Sequence, residues 1–109
     1  MKPPISYQDF AKLDLRVATV TEARPHPNAD KLLLLRIQID DAQRQIIAGI
    51  RGHYEPEALV GTQVVVLVNL EEAVIRGEES AGMLLAAGDG EAVVLLRPDQ
   101  PCTPGAVVK

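Results

Sequence analysis

Apolar and polar positions alternate from Leu13, with Leu13, Leu15 and Val17 interleaved with Asp14, Arg16 and Ala18. This two-residue period predicts a half-buried strand. The period returns in "LLLLRIQID", where Leu33, Leu35, Ile37 and Ile39 share one face and Leu32, Leu34, Arg36 and Gln38 the other. Between the two runs lies "RPHPNADK", stiff and polar, entered directly from one strand and leading directly into the next. "RQIIAGI" predicts a third strand, with Gly49 marking a bulge or a close backbone approach. "TQVVVLVNL" predicts a fourth, β-branched enough to be buried on both faces. After the polar stretch "EEAVIRGEES", "AGMLLAAG" reads as a fifth strand and "AVVLL", beyond a "GDGE" turn, as a sixth.

Helical signals are short. Ser6 stands three residues before Asp9, a capping-box-like start for one or two turns. In "PEALVG", Pro56 suits a first helical position and Gly61 a stop, which leaves room for a single turn. The tail "RPDQPCTPGAVVK" is proline-rich and predicts extended chain. Three strands, a small helix, two strands and a further strand form an all-β order. It matches an OB-fold, a five-stranded Greek-key barrel, here with short helices and an added C-terminal strand, as a single domain over residues 1–109. In that fold a ligand lies on the face of strands 2 and 3, between the 1-2 and 4-5 loops. Those loops are "RPHPNADK" and "EEAVIRGEES".

Composition narrows the chemistry. The 47% hydrophobic content is that of a folded domain, and the single Cys102 allows no internal disulfide. No leader-like segment and no apolar run of membrane-spanning length is present, so a cytoplasmic protein without membrane attachment is expected. The net charge of −4 argues against binding nucleic acid by bulk electrostatics. The charge is uneven, however. Residues 1–54 hold eight Lys and Arg against six Asp and Glu, and residues 55–109 three against nine. An anionic partner should therefore meet the first half.

Taken in order, "DLRVATV", "HPNADKLL", "QIIAGI", "YEPEALVG", "VNL", "RGEESAGMLLAA" and the late "PG" before "VVK" resemble the tRNA-binding domain family. That family includes the C-terminal appendage of bacterial methionyl-tRNA synthetases, free-standing dimeric tRNA-binding proteins and the C-terminal domain of the endothelial monocyte-activating polypeptide. The resemblance implies an OB-fold homodimer that binds tRNA by shape and backbone, without catalytic activity or a cofactor, and an aminoacyl-tRNA synthetase as a further partner. Asn28, Asp30, Lys31, Asn69, Arg76, Gly77, Ser80, Gly82 and Met83 fall on the family's motif positions. Where relatives often carry a lysine and a proline after "NL", this chain has Glu71 and Glu72.

The candidate tRNA contacts are Asn28, Lys31, Arg36, Arg51, Asn69, Arg76 and Ser80. Lys31 places a cation at the mouth of the expected groove, where it suits a phosphate. Arg36 and Arg51 lie on or beside strands 2 and 3, together with Gln38 and Arg44, and are polar surface in any fold of this kind. Asn28 and Asp30 are turn formers with an equal claim to a structural role. Arg76 stands alone among Glu72, Glu78 and Glu79, either paired with one of them or free for a ligand. Ser80 either caps the loop or meets a phosphate.

No residue set combines a nucleophile with a base, and His26, Asp30 and His53 lack a metal-ligand spacing, so neither catalysis nor metal binding is expected. The aromatics are only Tyr7, Phe10 and Tyr54, too few for a single-strand stacking platform, whereas a structured RNA read by backbone and 2′-hydroxyl contacts needs none. The acidic 4-5 loop opens an alternative, a protein-interaction or chaperone-like dimeric module on the same scaffold.

Overall fold

The computed structural model describes residues 1–109. A one-turn helix α1 (Tyr7–Phe10) starts on Ser6, whose hydroxyl accepts from the Asp9 amide at 3.1 Å. Then come β1 (Leu15–Pro25), β2 (Leu33–Ile39), β3 (Ala42–Ala48), helix α2 (Pro56–Leu59) and β4 (Gln63–Leu67). The four strands are antiparallel neighbours in the order β3-β2-β1-β4, which β7 (Met83–Leu84) extends beyond β4. The sheet curls until its ends meet. The Ala81 amide donates to the Gln45 carbonyl at 2.9 Å, and the Ile47 amide donates to the Ser80 hydroxyl at 3.0 Å. This is the OB-type curled barrel expected from the element order.

The curl begins inside β1. Val20 pairs with Ile37 but Glu22 with Arg36, so Thr21 is an extra residue, and its hydroxyl donates to the Arg36 carbonyl at 3.2 Å. Such a bulge bends the strand and switches which residues face inward. Ala18 and Val20 enter the main core before it, and Ala23 packs on the core after it. The simple alternation expected for this strand is therefore corrected. Leu15 and Val17 are buried outside the main cluster, and Leu13 is exposed and precedes the strand. In β2, Leu33, Leu35, Ile37 and Ile39 form the core face as predicted, and in β4 Val64, Val65 and Val66 are all buried. Leu59 of α2 adds a fully buried plug to the same core.

Three further differences come from tertiary pairing. "EEAVIRGEES" is not an open loop: it holds a hairpin of β5 (Ala73–Ile75) and β6 (Glu78–Ser80). The fifth strand is split at Leu85, whose amide donates to the Val65 carbonyl. β7 stays in the barrel sheet, whereas β8 (Ala86–Asp89) leaves it to pair with β9 (Ala92–Leu95). Gly49 ends β3 in a bend and has neither a positive φ nor a close neighbour.

The tail returns as β10 (Val107–Val108), paired with Leu15 and Arg16. Gly105 secures that return with φ +100°, and a Cβ there would run into the Asp40 carboxylate. Arg16 donates to the Asp14 carboxylate from Nε at 2.6 Å and to the Gly105 carbonyl at 3.2 Å. The hydrogen bond to Asp14 raises the guanidinium pKa further above its ordinary value.

Candidate functional site

The loop between β1 and β2 is closed at its base, where the His26 amide donates to the Leu32 carbonyl at 3.0 Å. Pro25 and Pro27 fix φ on either side, so the His26 ring has little freedom of approach. The ring is only 2% exposed and spends both nitrogens. Nδ1 accepts from the Asn28 amide at 2.9 Å, and Nε2 lies 2.9 Å from the carbonyl oxygen of Ile75 on the hairpin. An Nδ1 that accepts carries no proton, so Nε2 carries it and donates to Ile75. The Asn28 side-chain amide adds a second tie, donating to the Arg76 carbonyl at 3.3 Å.

On the hairpin, Arg76 and Gly77 form the two-residue turn with φ of 54° and 88°. Positive φ at both central positions is the type I′ pattern that matches strand twist, usually supplied by Asn-Gly. Arginine in that conformation costs about 1–2 kcal/mol, and the Asn28 bond to its carbonyl helps to hold it. The turn therefore fixes the backbone from which the exposed Arg76 side chain projects at the end of the hairpin. Lys31 and Arg76 line the same cleft, about 330 Å³, together with Ala29, Asp30, Leu32 and Ile75. Neither cation lies within 4.0 Å of a carboxylate, so pairing of Arg76 with Glu72, Glu78 or Glu79 does not occur.

The other sequence-derived candidates fall into two groups. Arg36 stands outside the barrel with Arg24 and Gln45 around a small hollow, 3.9 Å from Glu22. An exposed pair of that kind is worth ~0–1 kcal/mol and leaves the arginine available. Arg51 is turned under the loop, donating to the Ala29 carbonyl at 3.1 Å while its own amide donates to Lys31 at 3.3 Å. Its guanidinium supports the segment that carries Lys31.

Asn69 and Ser80 bond to backbone groups of the barrel frame. The Asn69 side chain accepts from the Asp14 amide at 2.9 Å and donates to the Lys12 carbonyl at 2.7 Å, pinning the turn between α1 and β1. Ser80 is 6% exposed, with its hydroxyl accepting from Ile47 and donating to the Gly82 carbonyl at 3.2 Å. A hydroxyl so placed does not reach a phosphate outside the barrel. Arg44 likewise donates to the Val68 carbonyl at 2.8 Å and lines a different cleft from Lys31.

Two residues were missed from sequence. The partner of His26 on the hairpin, Ile75, lies 49 residues away along the chain, and Gln45, which ties the hairpin to β3 through Glu78 and the Glu79 carbonyl, read as ordinary strand surface. Only the two positive-φ turn residues left a local trace, the glycine after Arg76.

A family model described as "Putative tRNA binding domain" matches residues 15–107. The chain belongs to the tRNA-binding domain family. Methionine-tRNA ligase of Thermococcus kodakarensis is 49% identical over 105 residues, which are 96% of this chain and 14% of that protein. The tRNA-binding domain thus spans a small part of the length of such relatives. A methionyl-tRNA-synthetase-related protein from Pyrococcus horikoshii has the same fold with a TM-score of 0.92 and 28% identity, covering 99% of this chain and 100% of that one. The chaperone CsaA of Bacillus anthracis has a TM-score of 0.88 and 31% identity, covering 98% and 100%. No helix of the domain is long and apolar enough to cross a membrane.

Proposed function

We propose that this tRNA-binding domain grips the sugar-phosphate backbone of folded tRNA at the barrel mouth, without chemistry of its own. The observation that carries the reading is the pair of unpaired cations, Lys31 and Arg76, supplied by two separate loops to one cleft. Arg36, exposed on β2 beside a separate hollow, supplies a further contact. No aromatic side chain lines the cleft, which supports preference for structured RNA over single strands. Asn28, Arg51, Asn69 and Ser80 contribute by holding the frame.

The domain works as a homodimer, which presents two such clefts and raises avidity through effective concentration. Apolar side chains left exposed on β9, just beyond it and on β10, Val94, Leu96 and Val107, support self-association. Kinship with methionine-tRNA ligases supports an aminoacyl-tRNA synthetase as a working partner.

The test is fluorescence anisotropy with bulk tRNA and a single-stranded control at ~50 and ~200 mM salt. Three phosphate contacts per cleft, from Lys31, Arg36 and Arg76, give a loss of ~40-fold across that interval when one cleft is engaged and ~2,000-fold when both clefts of the dimer hold one tRNA. Lys31→Ala and Arg76→Ala each lower the slope of log affinity against log salt by about 1 per engaged cleft. Light scattering of the same sample reads the dimer.

A second reading, polypeptide binding, is favoured by the likeness to the CsaA chaperone and by the apolar Leu32 and Ile75 that line the same cleft as the cations. Absence of tRNA binding at low salt, with retention of one nuclease-resistant protein partner, selects it.

A further inference from the structure

His26 is the most enclosed polar side chain of the domain, at 2% exposure, and it contacts neither solvent nor the open cleft. Its hydrogen bonds run instead between the two elements that supply the cations. The acceptor Nδ1 organises its own loop through Asn28, and the donor Nε2 reaches the hairpin at Ile75, one residue before Arg76. The hairpin's other ties are to β3, through Gln45 and Ser80, on its return strand. Its outgoing strand β5 pairs only with β6, so the side-chain bonds of His26 and Asn28 are what connect the hairpin turn to the loop of Lys31.

We propose that His26, as the neutral Nε2–H tautomer, is a positioning residue that sets the separation of Lys31 and Arg76 and thereby matches the cleft to successive phosphates of a folded RNA. This deepens the tRNA reading and rests on it for the binding arm of its test. An imidazole suits the task because it offers an acceptor and a donor on opposite sides of one rigid ring, so loop and hairpin are held at a fixed distance. Asparagine in its place keeps an acceptor near the Nδ1 position but cannot reach Ile75. Glutamine keeps a donor near the Nε2 position and should preserve the link to the hairpin.

The binding arm is a double-mutant cycle of His26→Asn with Arg76→Ala, read as tRNA affinity. A residue that acts through Arg76 is non-additive with it. His26→Asn alone should weaken binding by no more than Arg76→Ala does, and in the Arg76→Ala background its further loss should fall below about twofold. His26→Gln should retain most of the wild-type affinity. Equal fold losses of His26→Asn in both backgrounds overturn the proposal, because a general folding defect is indifferent to Arg76.

Two measurements need no tRNA. Nitrogen NMR of the wild-type imidazole should show Nδ1 without a proton and Nε2 with one; the reverse tautomer overturns the clasp. Hydrogen exchange should rise in His26→Asn at the hairpin amides of residues 73–80 and stay unchanged across the β1-β4 pairing, whereas an unchanged hairpin overturns it. If the wild-type domain binds no tRNA, the functional reading fails, and these two results still decide whether the clasp exists.

Discussion

Removing the Ser80 hydroxyl separates a frame residue from a ligand contact. In Ser80→Ala the Ile47 amide loses its acceptor at 3.0 Å in a buried seam, and the Gly82 carbonyl loses a donor at 3.2 Å. A buried amide left without a partner costs about 1–3 kcal/mol. The carbonyl adds less, because its second lone pair tolerates the loss better. The alanine methyl fills most of the hydroxyl's neighbourhood, so no large cavity term is added. For a domain of this size 1 kcal/mol moves Tm by about 4–6 °C, which places the expected fall at about 5–15 °C. Differential scanning fluorimetry reads the shift, and tRNA anisotropy at ~10 °C, well below both transitions, should give an affinity within about twofold of wild type. A Tm within about 2 °C of wild type, accompanied by lost affinity in the cold, refutes the assignment and returns the hydroxyl to a ligand.

Other outcomes follow from the same hydrogen-bond map. Gly105→Ala forces a side chain into the Asp40 carboxylate at a φ of +100° and should cost about 2 kcal/mol or more, seen as a lower urea midpoint with an unchanged m-value. Asn69→Ala removes two bonds that pin the α1-β1 turn and should cost about 1 kcal/mol by chemical denaturation, with tRNA affinity preserved. Arg51→Ala should weaken tRNA binding severalfold while leaving the salt slope unchanged, because the arginine supports the Lys31 loop; a slope lowered by about 1 in titrations marks it instead as a phosphate contact.

Much of the barrel is local and was legible in the chain. Strand periods at Leu33–Ile39, the run of buried valines in β4, the Ser6 cap and the Pro56 start each depend on residues within a few positions of one another. The motif residues around Lys31 and Arg76 also marked the two loops that flank the cleft. The remainder depended on partners far along the sequence. Thr21 looks like any strand residue until β2 fixes the bulge, which then reverses the faces of β1. "EEAVIRGEES" reads as a charged loop because its alternation is short and its charges are many. It becomes a hairpin only when Gln45, His26 and Ile47 hold it from β3 and the first loop. Ser80 and Asn69 carry groups equally suited to a phosphate or a backbone amide, and closure of the barrel brings the amide within 3 Å first. Sequence alone determined the first four barrel strands and where the cations lie along the chain. Tertiary structure decided which polar groups remain free, because a buried hydrogen-bonding group must be satisfied before any is left for a ligand.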